Sequence, residues 1–209
     1  MLRTVSAFWH NRKGWMPVKK FSAAWMAYVG VLVALQVVLG NLVQVALLTK
    51  QMNFGFLPIA AAGYLLGPLG GLLVAVLGDV LGTLLFGTGA YFPGFTVTAA
   101  AVGLLYGWLM CPRFQGWLTA AIRKRPLEVM VRAFLAALAV AVVYIFLNSY
   151  WLTFLVGKGY WALLIGRLPF NLAEIPVFTV LITLTCTALD RLPPALLPVK
   201  HAKEKEHDA

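Results

Sequence analysis

Long apolar runs alternate along the chain with short polar, glycine-rich or basic breaks. The apolar segments cover roughly residues 22–48, 54–66, 69–86, 95–111, 127–155 and 162–189. Between them lie "TKQMNFG", "GPLGG", "GTGAYFPG", the basic stretch 113–125 and the glycine-flanked Lys158. The runs are continuous and lack the two-residue alternation of a membrane β-barrel strand, so the pattern predicts helices. A bilayer crossing needs about 20 residues, which makes 54–66 short; it is expected to be tilted, broken or partly re-entrant. The predicted fold class is an all-α membrane protein, a six-transmembrane-helix bundle.

Composition agrees. Of the 209 residues, 61% are hydrophobic and 11% charged, and the mean hydropathy is +0.85. A water-soluble domain of this size has no use for so much apolar surface. The first apolar run, about 27 residues, is too long for a signal-peptide core and no cleavage site follows it, so it is expected to be a retained span.

Charge orients the bundle. Arg3, Arg12, Lys13, Lys19 and Lys20 precede the first span. Arg113, Arg123, Lys124 and Arg125 lie in the fourth–fifth connection with Arg132 just beyond, and Arg191, Lys200, Lys203 and Lys205 lie at the end. With six spans these 14 of 17 basic residues share one side, leaving Lys50, Lys158 and Arg167 for the other. The positive-inside bias makes that shared side cytoplasmic, with both termini. The expected organisation is a basic tail (1–20), a membrane domain (21–191) and a charged tail (192–209). The net charge of +10 then reflects topology and anionic lipid; no nucleic-acid motif accompanies it. Cys111 and Cys186 form no disulfide or metal-site pattern, and His10, His201 and His207 lie in the tails. No cofactor and no metal are expected.

Lipid offers little hydrophobic gain from helix contact, so small residues that admit close backbones substitute for it. They recur at four-residue spacing: Gly63 and Gly67, Gly71 and Ala75, Gly78 and Gly82, Ala99 with Gly103 and Gly107, Ala133 with Ala137 and Ala141. Most are expected to pack internally. Gly30 and Ala34 differ, because a first helix leaves part of its circumference free; they are candidates for contact with another subunit.

The segment "LIGRLPFNLAEIPVF" places Arg167, Asn171 and Glu174 at i, i+4 and i+7, on one helix face. Each charge inside a bilayer costs about 2.5–3.5 kcal/mol on insertion scales, so it implies a role. Asp79 is a third intramembrane charge, at a similar outward depth. Two roles stay open: a salt bridge of Arg167 with Asp79 or Glu174, or ligand binding, for which the arginine fork suits a carboxylate or planar group. Near the same end lie Tyr91, Phe92, Tyr150, Trp151, Tyr160 and Trp161, default interfacial belt residues. Asn148 and Trp151 share a face there, and Lys158 follows. This is a basic, aromatic mouth suited to a small, partly planar anion. An enzyme is not expected: the spans hold no histidine, and Asp79 and Glu174 are single acids on separate helices. A Walker A loop is absent.

Two stretches, "FGFLPIAAAGYLLGPLGGLLVAVLGDVLGTLLFGTGAYFPGFT" and "LNSYWL…GKGYWALLIGRLPFNL", resemble the folate family of substrate-binding subunits (S components) of energy-coupling factor (ECF) transporters. The resemblance covers about 54–189. "GVLVALQ" is similar to the family's small-residue motif on the first helix, with Gly30 where alanine is more usual. The resemblance implies a six-helix subunit that takes a vitamin from the extracellular side. It implies a transmembrane coupling (T) subunit and two cytosolic ATPases as partners, and toppling in the membrane to release cargo. Folate, with a flat pterin and two carboxylates, suits the rings together with Lys158 and Arg167. Pantothenate or another small anionic vitamin is the alternative, and a structural membrane protein without ligand is a third reading.

Overall fold

The computed structural model describes residues 16–17, 22–42, 44–46, 51–86, 91–111, 122, 125–157, 159–192 and 199–200. A two-residue strand, β1 (Met16–Pro17), precedes helix α1 (Ala23–Asn41). Ser22 caps α1 by accepting from the Trp25 amide at 3.2 Å, which satisfies a donor that every helix start leaves open. The helix stops well before the expected residue 48. Strands β2 (Gln44–Ala46) and β3 (Gln51–Asn53) form an antiparallel hairpin there instead. Asn41 ends the helix with its side-chain amide turned back onto the Val37 carbonyl, 2.9 Å away. The polar positions Asn41 and Gln44 interrupt a run that average hydropathy makes continuous.

Helix α2 (Phe56–Leu66) accounts for the short apolar segment. Ten of its eleven residues are buried, and it packs against four other helices. An element that is apolar on every side is stable only when enclosed on every side. Gly67, at φ 79°, turns the chain into α3 (Pro68–Phe86); that backbone conformation suits glycine. The fourth helix, α4, spans Pro93–Met110. Helix α5 (Arg125–Val143) continues through a π turn at Tyr144–Asn148 into α6 (Ser149–Val156). Helix α7 (Tyr160–Asp190) contains Pro169 and Pro176. A last strand, β4 (Val199–Lys200), pairs antiparallel with β1.

Among the described residues, five helices have the length and apolarity of a membrane span: α1, α3, α4, the continuous α5–α6 rod and α7. They surround or flank α2. Their contacts rest on missing side chains. A Cβ on Gly71 would strike the Gly103 carbonyl, and one on Gly103 would strike that of Gly71. A Cβ on Gly63 would lie 2.7 Å from the Tyr106 carbonyl. Backbones this close require glycine. The α1 pair behaves differently: Gly30 and Ala34 are exposed, and nothing approaches within 4 Å of a Cβ at Gly30.

The end of the bundle nearest β1 and β4 is polar inside. Tyr64 donates to Asp190 at 2.7 Å, joining the last turns of α2 and α7. Arg132, expected on a basic flank facing the cytoplasm, is only 2% exposed. Its guanidinium meets Glu128, one turn earlier, at 2.6 Å. Pairing and hydrogen bonding are what allow a charge to be buried so completely.

Candidate functional site

The candidate residues collect at the opposite end, where α3 gives way to α4 and α6 to α7. Pro93 occupies the first turn of α4, a position where its missing N–H costs nothing. Phe92, just before it, places its ring 5.8 Å from that of Trp151 on α6. The Trp151 indole donates to Thr98 Oγ1 at 3.2 Å. Gly94 makes room for both rings: a Cβ there would lie 2.5 Å from Trp151 and collide with Phe92. Tyr150 and Phe154 extend the aromatic cluster on α6.

Asp79 projects from α3 beneath this cluster. Thr96 donates to its Oδ2 at 2.7 Å, and the Tyr91 hydroxyl lies 3.0 Å from the same Thr96 oxygen. On α7, Asn171 and Glu174 are buried and Arg167 is half-buried. The Asn171 amide turns back to the Arg167 carbonyl at 2.9 Å. Arg167 lies within electrostatic range of Glu174. Its Nη1 is nevertheless sealed from solvent with no hydrogen-bond partner. Asn148 closes the π turn with a buried, unpartnered Oδ1, and the Ser149 hydroxyl beside it is in the same condition.

Tyr144 lies on the α5–α6 rod. It opens the π turn and lies within electrostatic range of both Asp79 and Glu174. A π turn inserts an extra residue into the helical register, and such turns occur often at functional sites. Here it includes Tyr144 and Asn148. The arrangement therefore combines two carboxylates, a guanidinium nitrogen without a partner and a wall of rings. It offers hydrogen-bond acceptors and a donor to a flat polar molecule.

The family described as ECF transporter, substrate-specific component matches residues 25–185. The chain belongs to that family. It is thus a multi-pass membrane protein of the S-component type. One relative is a folate transporter, FolT, of Clostridium novyi (strain NT): identity is 30% over 169 residues, covering 80% of this chain and 90% of that protein. A second is a FolT of Leuconostoc mesenteroides, 37% identical over 75 residues, 36% of this chain and 40% of that protein. A crystal structure of FolT bound with folic acid superposes with a TM-score of 0.63 at 27% identity, covering 77% of this chain and 91% of that one.

Within this S component, Asp79, Tyr91, Phe92 and Trp151 lie in one region, Asn148 lies one turn before Trp151 on the α5–α6 rod, and Arg167, Asn171 and Glu174 lie on α7. Lys158 lies outside the described residues. Tyr160 and Trp161 pack edge to face at the start of α7, where Trp161 is 71% exposed, as a lipid-interface residue is. Thr96, Thr98 and Tyr144 escaped sequence reasoning. Their signal was weak: hydroxyl residues are unremarkable in membrane helices, and a π turn leaves no mark in hydropathy.

Proposed function

We propose that the chain captures folate or a close relative at the mouth formed by α3, α4, α6 and α7. Six crossings and two cytoplasmic termini make that mouth extracellular; the β1–β4 pairing, which joins residues 16–17 to 199–200, supports the even number of crossings. The binding set is Arg167, Asn171, Asn148, Trp151, Tyr91, Phe92, Asp79, Glu174 and Lys158. The observation that carries the reading is the unpartnered Arg167 Nη1: a buried donor without an acceptor is costly, and a ligand carboxylate or ring carbonyl removes the cost. Phe92 and Trp151 supply the stacking wall for a pterin ring. Asp79 and Glu174 accept from its amino and ring N–H groups. They repel the glutamate tail, which leaves that tail toward the mouth.

The same reading assigns no chemistry to the chain. Energy comes from two cytosolic ATPase subunits through a transmembrane coupling subunit, in the cell membrane of a prokaryote. The exposed Gly30–Ala34 stripe of α1 is the surface that meets this coupling subunit, because small residues admit a second helix at close range. The test is a titration of the purified chain with folic acid and with pantothenate, followed by tryptophan fluorescence and calorimetry. Saturable folic acid binding that pantothenate does not displace supports the assignment. Preferential binding of pantothenate would transfer the site to another vitamin, and binding of neither would return the chain to a structural role.

A further inference from the structure

Thr96 stands apart from six other described threonines, of which Thr153 donates to the Tyr150 carbonyl three residues back. Thr83, Thr98, Thr179, Thr183 and Thr185 each donate to the backbone carbonyl four residues back in their own helix. That is the ordinary way a hydroxyl is satisfied in a membrane helix. Thr96 instead reaches across to α3, 2.7 Å from Asp79 Oδ2, and also touches the Tyr91 hydroxyl at 3.0 Å. A hydroxyl has one proton and an ionised carboxylate only accepts. The Thr96 proton therefore goes to Asp79, and Tyr91 donates to Thr96. The result is a directed chain from the mouth to an intramembrane acid: Tyr91 O–H to Thr96, Thr96 O–H to Asp79. Tyr91 is 48% exposed, so one end of the chain meets solvent.

We infer that Thr96 is a positioning residue of the binding site, which aims the Asp79 carboxylate at the ligand and ties Tyr91 over it. Thr96 occupies Oδ2, so Oδ1 is the oxygen presented to an N–H of the ligand. Tyr91, having spent its proton on Thr96, keeps only acceptor capacity. The pair thereby selects a ligand whose facing edge donates. This rests on the folate reading, in which that edge is the amino and ring N–H side of a pterin.

The test uses the full chain, folic acid as probe, and Thr96→Val, which keeps the shape and removes the hydroxyl. Losing a charge-assisted hydrogen bond that holds the carboxylate should weaken folic acid binding about tenfold. Thr96→Ser, which restores the hydroxyl, should bind within about twofold of wild type. In an Asp79→Ala background Thr96→Val should change affinity by less than about twofold, because groups acting in one network are not additive. Wild-type affinity in Thr96→Val, or an equal loss without Asp79, overturns the inference, as does failure of serine to rescue. Should Thr96→Val not fold, Tyr91→Phe replaces it, with a loss of about threefold that requires Asp79. A ligand-free arm separates this claim from the folate reading. Thr96→Val and Asp79→Ala should each raise amide exchange across residues 91–95, and the double variant no further. Unchanged exchange in Thr96→Val refutes the positioning role whether or not folic acid binds; an absence of folic acid binding by wild type refutes only the folate assignment.

Discussion

Replacing Arg167 separates ligand binding from structural pairing. Its Nη1 has no hydrogen-bond partner, while Asp79 is already engaged by Thr96. Arg167→Ala therefore removes a buried donor that folding leaves unsatisfied, a saving of about 1–3 kcal/mol. It also gives up the packing of the side-chain stem. The two oppose each other, and the ligand-free melting temperature should stay close to that of wild type. Affinity should not. A hydrogen bond from a charged donor is worth about 1.5–3 kcal/mol, which corresponds to a loss of about 10- to 150-fold in folic acid affinity. Arg167→Lys should lose nearly as much, since an ammonium does not reproduce the planar fork. The assay is calorimetric titration of each variant in detergent or nanodiscs, with a melting curve on the same sample. The opposing view makes Arg167 the structural partner of Glu174, its electrostatic neighbour. On that view Arg167→Ala melts early, and Arg167→Ala with Glu174→Gln partly recovers. Normal folic acid affinity in a stable Arg167→Ala/Glu174→Gln protein would refute the ligand role.

Gly30→Leu or Ala34→Leu should leave folic acid affinity within about twofold, since both positions are exposed and lost packing inside the chain is small; ATP-driven uptake by the reconstituted complex should fall, and intact uptake would remove α1 from the coupling contact. Gly71→Ala and Gly103→Ala each drive a methyl into a facing carbonyl and should destabilise by about 1–3 kcal/mol, read as a lower melting temperature; a wild-type melting curve would mean that α3 and α4 separate freely. Glu128→Ala or Arg132→Ala removes one side of a buried ion pair and should cost about 3–5 kcal/mol, whereas a double replacement by apolar residues should cost much less; additive losses in the denaturation cycle would deny the pairing. The chain reconstituted alone should bind vitamin without hydrolysing ATP, and uptake into vesicles that lack an ATPase would contradict its role as a binding subunit.

Hydropathy by itself determined the fold class and most of the helices, for a reason specific to lipid. Inside a bilayer every backbone N–H and C=O must be satisfied within its own segment, so a long apolar run has almost no choice but a helix. The same economics made Asp79, Arg167 and Glu174 visible: a charge in hydrocarbon is too costly to be incidental. The four-residue glycine spacing was equally legible, but its meaning was not. Gly71 and Gly103 pack backbone on backbone while Gly30 faces outward, and only the placement of neighbouring helices distinguishes them. Arg132 resembled one more flanking cation until Glu128, one turn away, was seen to bury with it. The end of α1 at Asn41 depended on a hairpin that pairs residues 44–46 with 51–53, which local apolarity conceals. Thr96 shows the limit most clearly. A threonine in a membrane helix satisfies itself on its own backbone or reaches a neighbour, and its local sequence is compatible with both. Tertiary packing alone set its oxygen against Asp79, because that contact joins residues 17 positions apart on different helices.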